Sequence, residues 1–152
     1  MMLISHRGNI GGPNSKLENK PAYILEALNK KYQVEVDVWY DNRWWLGHDE
    51  PQYKVESNFL FLTPYLWVHC KNVEAMTTFS YSKINGLISP TFFWHETDTY
   101  ALVSNGLLWT YPCKPLVELS ICVMPERGNY TKKQLKKCFG ICSDHIEDYK
   151  NL

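Results

Sequence analysis

Apolar positions along the chain fall into short runs with two distinct periods. Residues 34–40 alternate Val34, Val36 and Val38 with Glu35, Asp37 and Trp39, the period of two that a strand requires. Residues 21–28 place Ala22, Leu25, Ala27 and Leu28 at helical spacing behind Pro21, which suits a first helical turn. Shorter apolar runs at 3–5, 66–70, 86–89, 92–95, 107–111, 121–124 and 140–143 each predict a strand. After the Asp41-Asn42 turn, residues 43–47 return as the second arm of a hairpin and present His48 and Asp49. Helices are expected over 73–81 and 131–139, the latter with Lys132, Lys133, Lys136 and Lys137 as a solvated face around Leu135. Gly11-Gly12-Pro13-Asn14-Ser15 is a loop, and no repeat, linker or low-complexity stretch divides the chain. A single domain over 1–152 is the expectation.

Strands joined by helices in some intervals predict an α/β fold with mostly parallel strands. An eight-stranded (β/α) barrel usually needs about 250 residues. At 152 residues such a barrel closes only if several outer helices have shrunk to loops. The stretch 91–124, with three strand candidates and no convincing helix, has that look.

Composition narrows the partners. Lys and Arg number 16 and so do Asp and Glu, so no global field draws the chain to nucleic acid or to an anionic membrane. No apolar run approaches the roughly 18 residues of a membrane span, and the N-terminal run is short for a signal peptide. Five cysteines without zinc-like spacing read as buried free thiols, which suits a reducing, cytoplasmic compartment. Aromatic residues reach 14%, with six Trp and ten Tyr, enough to fill a core and also to floor a pocket.

The chemistry concentrates near the N-terminus. Glu35 and Asp37 sit two apart in an extended run, so both point to one face. Val34, Val36 and Val38 already supply the apolar face, which leaves the carboxylates for a hard divalent cation. His6 and His48 titrate near neutrality and suit an acid/base pair, with Arg7 beside them. Lys71 ends a buried strand and needs an anionic partner. His69 is open between a metal or phosphate contact and an ordinary core histidine. Weaker candidates are His95 with Glu96 and Asp98, Glu126-Arg127-Gly128, and Trp109 with Tyr111 as packing for a head group.

Taken in order, His6-Arg7-Gly8, Glu18-Asn19, Glu35-Val36-Asp37-Val38 and His48-Asp49 resemble the glycerophosphodiester phosphodiesterases, within the wider group of barrel phosphodiesterases that includes the phosphatidylinositol-specific phospholipases C. The likeness is dense over roughly the first half of the chain and thins afterwards. Later echoes are Leu108-Trp109-Thr110 and the run from Gly140 to Asp144. The resemblance implies a compact TIM-type (β/α) barrel with several outer helices reduced or missing. It implies a metal-dependent phosphodiester hydrolase of lipid metabolism acting on glycerophosphodiesters or related small head groups. His6 and His48 would be the acid/base pair, Arg7, Lys71 and Trp109 would contact the substrate and its phosphate, and Glu35, Asp37, Glu18 and His69 would hold the metal. His69 stands where the family has a glutamate, which opens the expected Mg²⁺ or Ca²⁺ site to Mn²⁺ or Zn²⁺. Leu17 and Lys20 also depart from the family pattern. A catalytically silent barrel that binds a phosphorylated ligand or partner is the alternative, and a metal-dependent nuclease is disfavoured by the balanced charge. Apolar strand surface left bare by missing helices makes a homodimer an expectation.

Overall fold

A computed structural model describes residues 1–152. Ten strands form one mixed sheet: β1 (Met2–His6), β2 (Gln33–Tyr40), β3 (Trp44–Leu46), β4 (Tyr53–Val55), β5 (Leu66–Cys70), β6 (Thr91–Phe93), β7 (Tyr100–Leu102), β8 (Leu108–Thr110), β9 (Ser120–Val123) and β10 (Gly140–Ser143). Four helices accompany it: α1 (Pro21–Asn29), α2 (Ser57–Leu62), α3 (Val73–Ile84) and α4 (Lys132–Leu135). Strands β6, β5, β2, β1, β10, β9 and β8 run parallel in that order, with β3, β4 and β7 antiparallel additions.

The sheet does not close, and the expected TIM-type barrel is therefore wrong. The reason lies at the two strands that would have to meet. Ser104 occupies the free edge of β6, donating its N–H to the Phe92 carbonyl at 2.8 Å and accepting the Phe92 N–H on its hydroxyl at 3.0 Å. β7 folds back antiparallel on the far edge of β8. Both edges are thus used locally, and no ladder joins them. The sheet nevertheless curls until side chains from its two ends touch, with the Phe93 and Trp109 rings 4.6 Å apart and Trp67 and Trp109 6.0 Å apart.

Curling gives the sheet two apolar faces. Val34, Val36 and Val38 of β2 pack outward against α1 and α3 through Ile24, Ala27, Ala75 and Phe79. Ile4, Trp67, Phe93, Trp109, Ile121 and Cys142 fill the concave side. The aromatic density seen in the sequence is divided between them. Tyr40, Trp44, Phe61 and Phe79 form one outer cluster, with Trp44 and Phe79 at 4.8 Å.

Local chemistry sets the helices. Pro21 opens α1 and Lys31, with φ +70°, ends the turn that follows it. Asn72 caps α3 by accepting the Ala75 N–H, while Glu74 and Lys83 sit at the ends that the helix dipole favours. Thr131 and Gln134 make a reciprocal capping box on α4, yet that helix stops after one turn, well short of residue 139. The run 86–89 is no strand: α3 continues to Ile84, Gly86 turns at φ +68°, and Leu87 and Ile88 are exposed. β4, α2 and β7 had no clear sequence signal. No helix is long and apolar enough to cross a membrane. All five cysteines are free, four buried and Cys113 exposed.

Phe79 is fully buried at the centre of the outer cluster. Phe79→Ala should lower the unfolding free energy by about 3–5 kcal/mol, read as a shifted urea midpoint at unchanged slope.

Candidate functional site

The concave face repeats one pattern at the C-terminal ends of its strands. An apolar residue is followed two positions later, on the same face, by a polar one: Ile4 by His6, Trp67 by His69, Phe93 by His95, Trp109 by Tyr111, and Cys142 by Asp144. Glu35 and Asp37 complete the ring from β2. Parallel register places His6 beside Glu35 and Asp37 beside His69.

Strands cover β2 unevenly along the edge away from β5. β1 pairs with Gln33 to Glu35 and β3 with Val38 to Tyr40. The gap at Asp37 is filled by other groups. Asn19, at φ +60°, accepts the Asp37 N–H at 3.0 Å and donates its amide to the Asp37 carboxylate at 2.9 Å. Gly47 N–H donates to the Asp37 carbonyl at 3.1 Å, which brings the hairpin end and His48 to the rim. Trp39 Nε1 locks the same turn by donating to the Gly47 carbonyl at 2.7 Å.

Asp37 is wholly buried and surrounded by cationic and donor groups. His69 Nδ1 lies 3.0 Å from Oδ1 and Lys71 Nζ 3.7 Å from the same oxygen. Arg7 Nε stands 2.9 Å from Oδ2 as an ion pair without hydrogen-bond alignment. Burial alone would raise this carboxyl, but the His69 hydrogen bond and the charges of Arg7 and Lys71 outweigh it and hold the group below the ordinary carboxylate range. Glu35 behaves oppositely. Burial and the neighbouring Asp37 charge push it up, and its Oε2 has no hydrogen-bond partner within the protein. Glu35, Asp37 and His69 bring one ligand atom each within 4.8 Å of one another.

Arg7 adopts φ +54° and Gly8 φ +91°, so the chain leaves β1 through a left-handed turn. Glycine is required there because a Cβ at residue 8 would lie 2.7 Å from the Tyr23 ring. The turn aims the Arg7 guanidinium between Asp37 and Glu18, the latter at 3.2 Å. Asn9 donates to Glu18 at 2.9 Å and to Asp144 at 2.8 Å. Glu18 is therefore held by Arg7 and Asn9 and stands apart from the Glu35–Asp37–His69 group. His6 Nδ1 bonds Asp144 at 2.7 Å and its Nε2 lies 3.8 Å from Glu35.

His6, Arg7, Glu35, His48, His69 and Trp109 all line one cavity of about 330 Å³, together with His95, Tyr111 and Arg127. Lys71 lines an adjoining cavity of about 370 Å³ that shares His48, His69 and His95. Trp109 contributes as part of the buried aromatic floor. Burial lowers His48, despite its 2.6 Å contact with Asp49. Burial, reinforced by His69 and Lys71, takes His95 down to about 4. The structure thus brings His6, Arg7, Glu35 and His48 to one cavity, keeps Glu18 apart from the Glu35–Asp37–His69 group, and gives Asn9, Asn19 and Asp144 hydrogen-bonding roles. Asp144 had a usable signal, an acidic residue directly after an apolar strand. Asn19 had a signal only as part of the Glu18-Asn19 motif and Asn9 had none; the role of Asn19 depends on where β1 and β3 leave β2 unpaired.

The chain matches no family model, no curated protein and no solved structure.

Asp144 offers a test of this network. Burial would raise its carboxyl, but the bonds from His6 and Asn9 and the charge of Arg127 bring it below its usual value. A lowered folded-state pKa adds stability above about pH 4, and that stability is lost as pH falls through the folded value. Asp144→Asn should therefore show a flatter loss of urea midpoint between about pH 5 and 2 than the native chain.

Proposed function

We propose that the chain is a metal-assisted phosphodiester hydrolase acting on glycerophosphodiesters or related small phosphodiester head groups. The observation that carries this reading is that His6 and His48 line the same cavity, together with Arg7, Glu35 and His69. Two titratable imidazoles, a fixed cation and buried carboxylates are what a stable phosphodiester monoanion demands: charge neutralisation, an activated nucleophile and a protonated leaving group.

A divalent ion fits the donors present. The unpartnered Oε2 of Glu35 is a buried carboxyl oxygen in the cavity wall, and Asp37 and His69 each bring a ligand atom within 4.8 Å of the Glu35 carboxyl. Glu35, Asp37 and His69 would hold the ion, which supplies Lewis-acid polarisation of a phosphoryl oxygen. The carboxylate oxygens favour Mg²⁺ or Ca²⁺, and the imidazole admits Mn²⁺ or Zn²⁺.

The chain's own groups do the remaining work. Arg7, anchored by Asp37 and Glu18, places its charge at the cavity wall, where it offsets the phosphate. Asp144 accepts the Nδ1–H hydrogen bond of His6 and stays ionised, a positioning role that directs Nε2 of the protonated imidazole to give a proton to the departing alkoxide. His48, whose partial burial favours the neutral imidazole, accepts the proton of the attacking hydroxyl or water. Trp109 and its aromatic neighbours exclude water from one side.

A second reading has a specific observation behind it. Both Asp37 oxygens already engage cations or donors, and Glu18 is similarly occupied. That arrangement suits a catalytically silent domain that holds a phosphorylated ligand without metal.

Hydrolysis of a glycerophosphodiester with Mg²⁺, Ca²⁺ or Mn²⁺ separates the two. Turnover should vanish with chelator and return with metal, and His6→Ala and His48→Ala should each lower kcat by about 10²- to 10⁴-fold in variants that keep the native circular-dichroism spectrum. Full activity in either folded variant rules out the two-histidine mechanism. Glu35→Gln should weaken metal binding in a calorimetric titration, and undiminished affinity removes Glu35 from the metal site.

A further inference from the structure

Two polar atoms of the cavity wall take no part in the proton transfers above and have no partner within the protein. They are the Tyr111 hydroxyl and His95 Nδ1, both buried. Their side chains line the same cavity as His6, Arg7 and Glu35, and their rings lie 4.3 Å apart, tilted by 47°. Each is fixed from behind. His95 stacks on His69 at 4.6 Å, and His69 is bonded to Asp37. The Tyr111 N–H donates to the Thr99 carbonyl at 3.2 Å, and the Tyr130 hydroxyl donates to the Tyr111 carbonyl at 3.4 Å.

Buried polar groups in folded proteins are almost always paired, so two unpaired ones side by side in a cavity wall point to a ligand group. We propose that Tyr111 and His95 read a hydroxyl on the substrate's organic arm, next to the phosphoryl group. The inference rests on the phosphodiesterase reading and adds to it two specificity-determining residues, Tyr111 and His95, for the hydroxylated arm.

The chemistry of the two atoms selects that group. A phenol donates one hydrogen bond, and a neutral imidazole nitrogen either accepts or donates one according to its tautomer. A single hydroxyl donates and accepts at once and satisfies both. A purely apolar arm leaves both unpaired, while an ammonium donates only and a carboxylate accepts only. Trp109, Val123 and Met124 line the same cavity and provide apolar surface for the carbon chain that carries the hydroxyl.

The test compares two p-nitrophenyl phosphodiesters with the same leaving group, one whose other arm is glyceryl and one whose other arm is propyl. The native chain should favour the glyceryl ester in kcat/KM by about tenfold, as expected for a site built to hydrogen-bond a hydroxyl. Tyr111→Phe, and separately His95→Phe, should bring that ratio close to one in the folded variant. A native ratio near one, or a ratio that Tyr111→Phe leaves unchanged, overturns the proposal. Calorimetric binding of glycerol 3-phosphate and propyl phosphate distinguishes the two levels of inference. If neither ester is turned over, the hydrolase reading fails. The hydroxyl-reading wall still requires glycerol 3-phosphate to bind about tenfold tighter than propyl phosphate, with the difference lost in Tyr111→Phe. Equal binding of the two, or binding of neither, overturns it.

Discussion

A single buried carboxylate, Asp37, holds the architecture of the site together. An isolated charge in this interior would be strongly unfavourable, so the surrounding chain must supply compensation from several directions. It does so with Arg7 from the end of β1, Asn19 from the loop before α1, and His69 and Lys71 from the end of β5. Each belongs to a different segment, so satisfying Asp37 fixes how those segments meet. The left-handed turn at Arg7 and Gly8 and the left-handed Asn19 are the local strain that this convergence costs.

Glu35, two residues earlier on the same strand, has only His6 at 3.8 Å and no hydrogen bond to its Oε2, which leaves its burial uncompensated in balance. The contrast separates structural from chemical roles within one Glu-x-Asp pair. Asp37 is fully engaged and held ionised; Glu35 keeps a bare oxygen and a raised affinity for its proton, which are the properties of a group awaiting a cation or a donor. The Asp144–His6 pair, the stacked His69 and His95 rings and the tilted Tyr111 ring beside them extend this division around the cavity, one side charged and the other aromatic.

Several features were legible in the linear chain. The period-two run at 34–40 fixed which residues of β2 face each other across the strand, so the shared face of Glu35 and Asp37 followed from geometry alone. Apolar runs ending in His6, His69 and Asp144 marked where strands deliver polar groups to a rim. Other elements were not legible. Residues 86–89 have the composition of a strand, yet α3 runs on to Ile84 and leaves Leu87 and Ile88 exposed in the turn beyond. The lysine-rich stretch after Thr131 has a strong start signal but only one turn of helix, because Leu135 and Cys138 alone give it an apolar face to bury.

The amino-acid sequence by itself determined the two faces of β2 and the starts of α1, α3 and α4, because these follow from periodicity and capping within a few residues. Only the tertiary structure decided whether the sheet would close and what each polar group does. Closure failed because Ser104 and β7 satisfy the two edges that would have joined, a competition that partners nearby in the chain win over the opposite edge of the sheet. The division of labour between Asp37 and Glu35 was likewise invisible in the sequence. The two carboxylates differ by which neighbours reach them from other segments, and that is a property of packing.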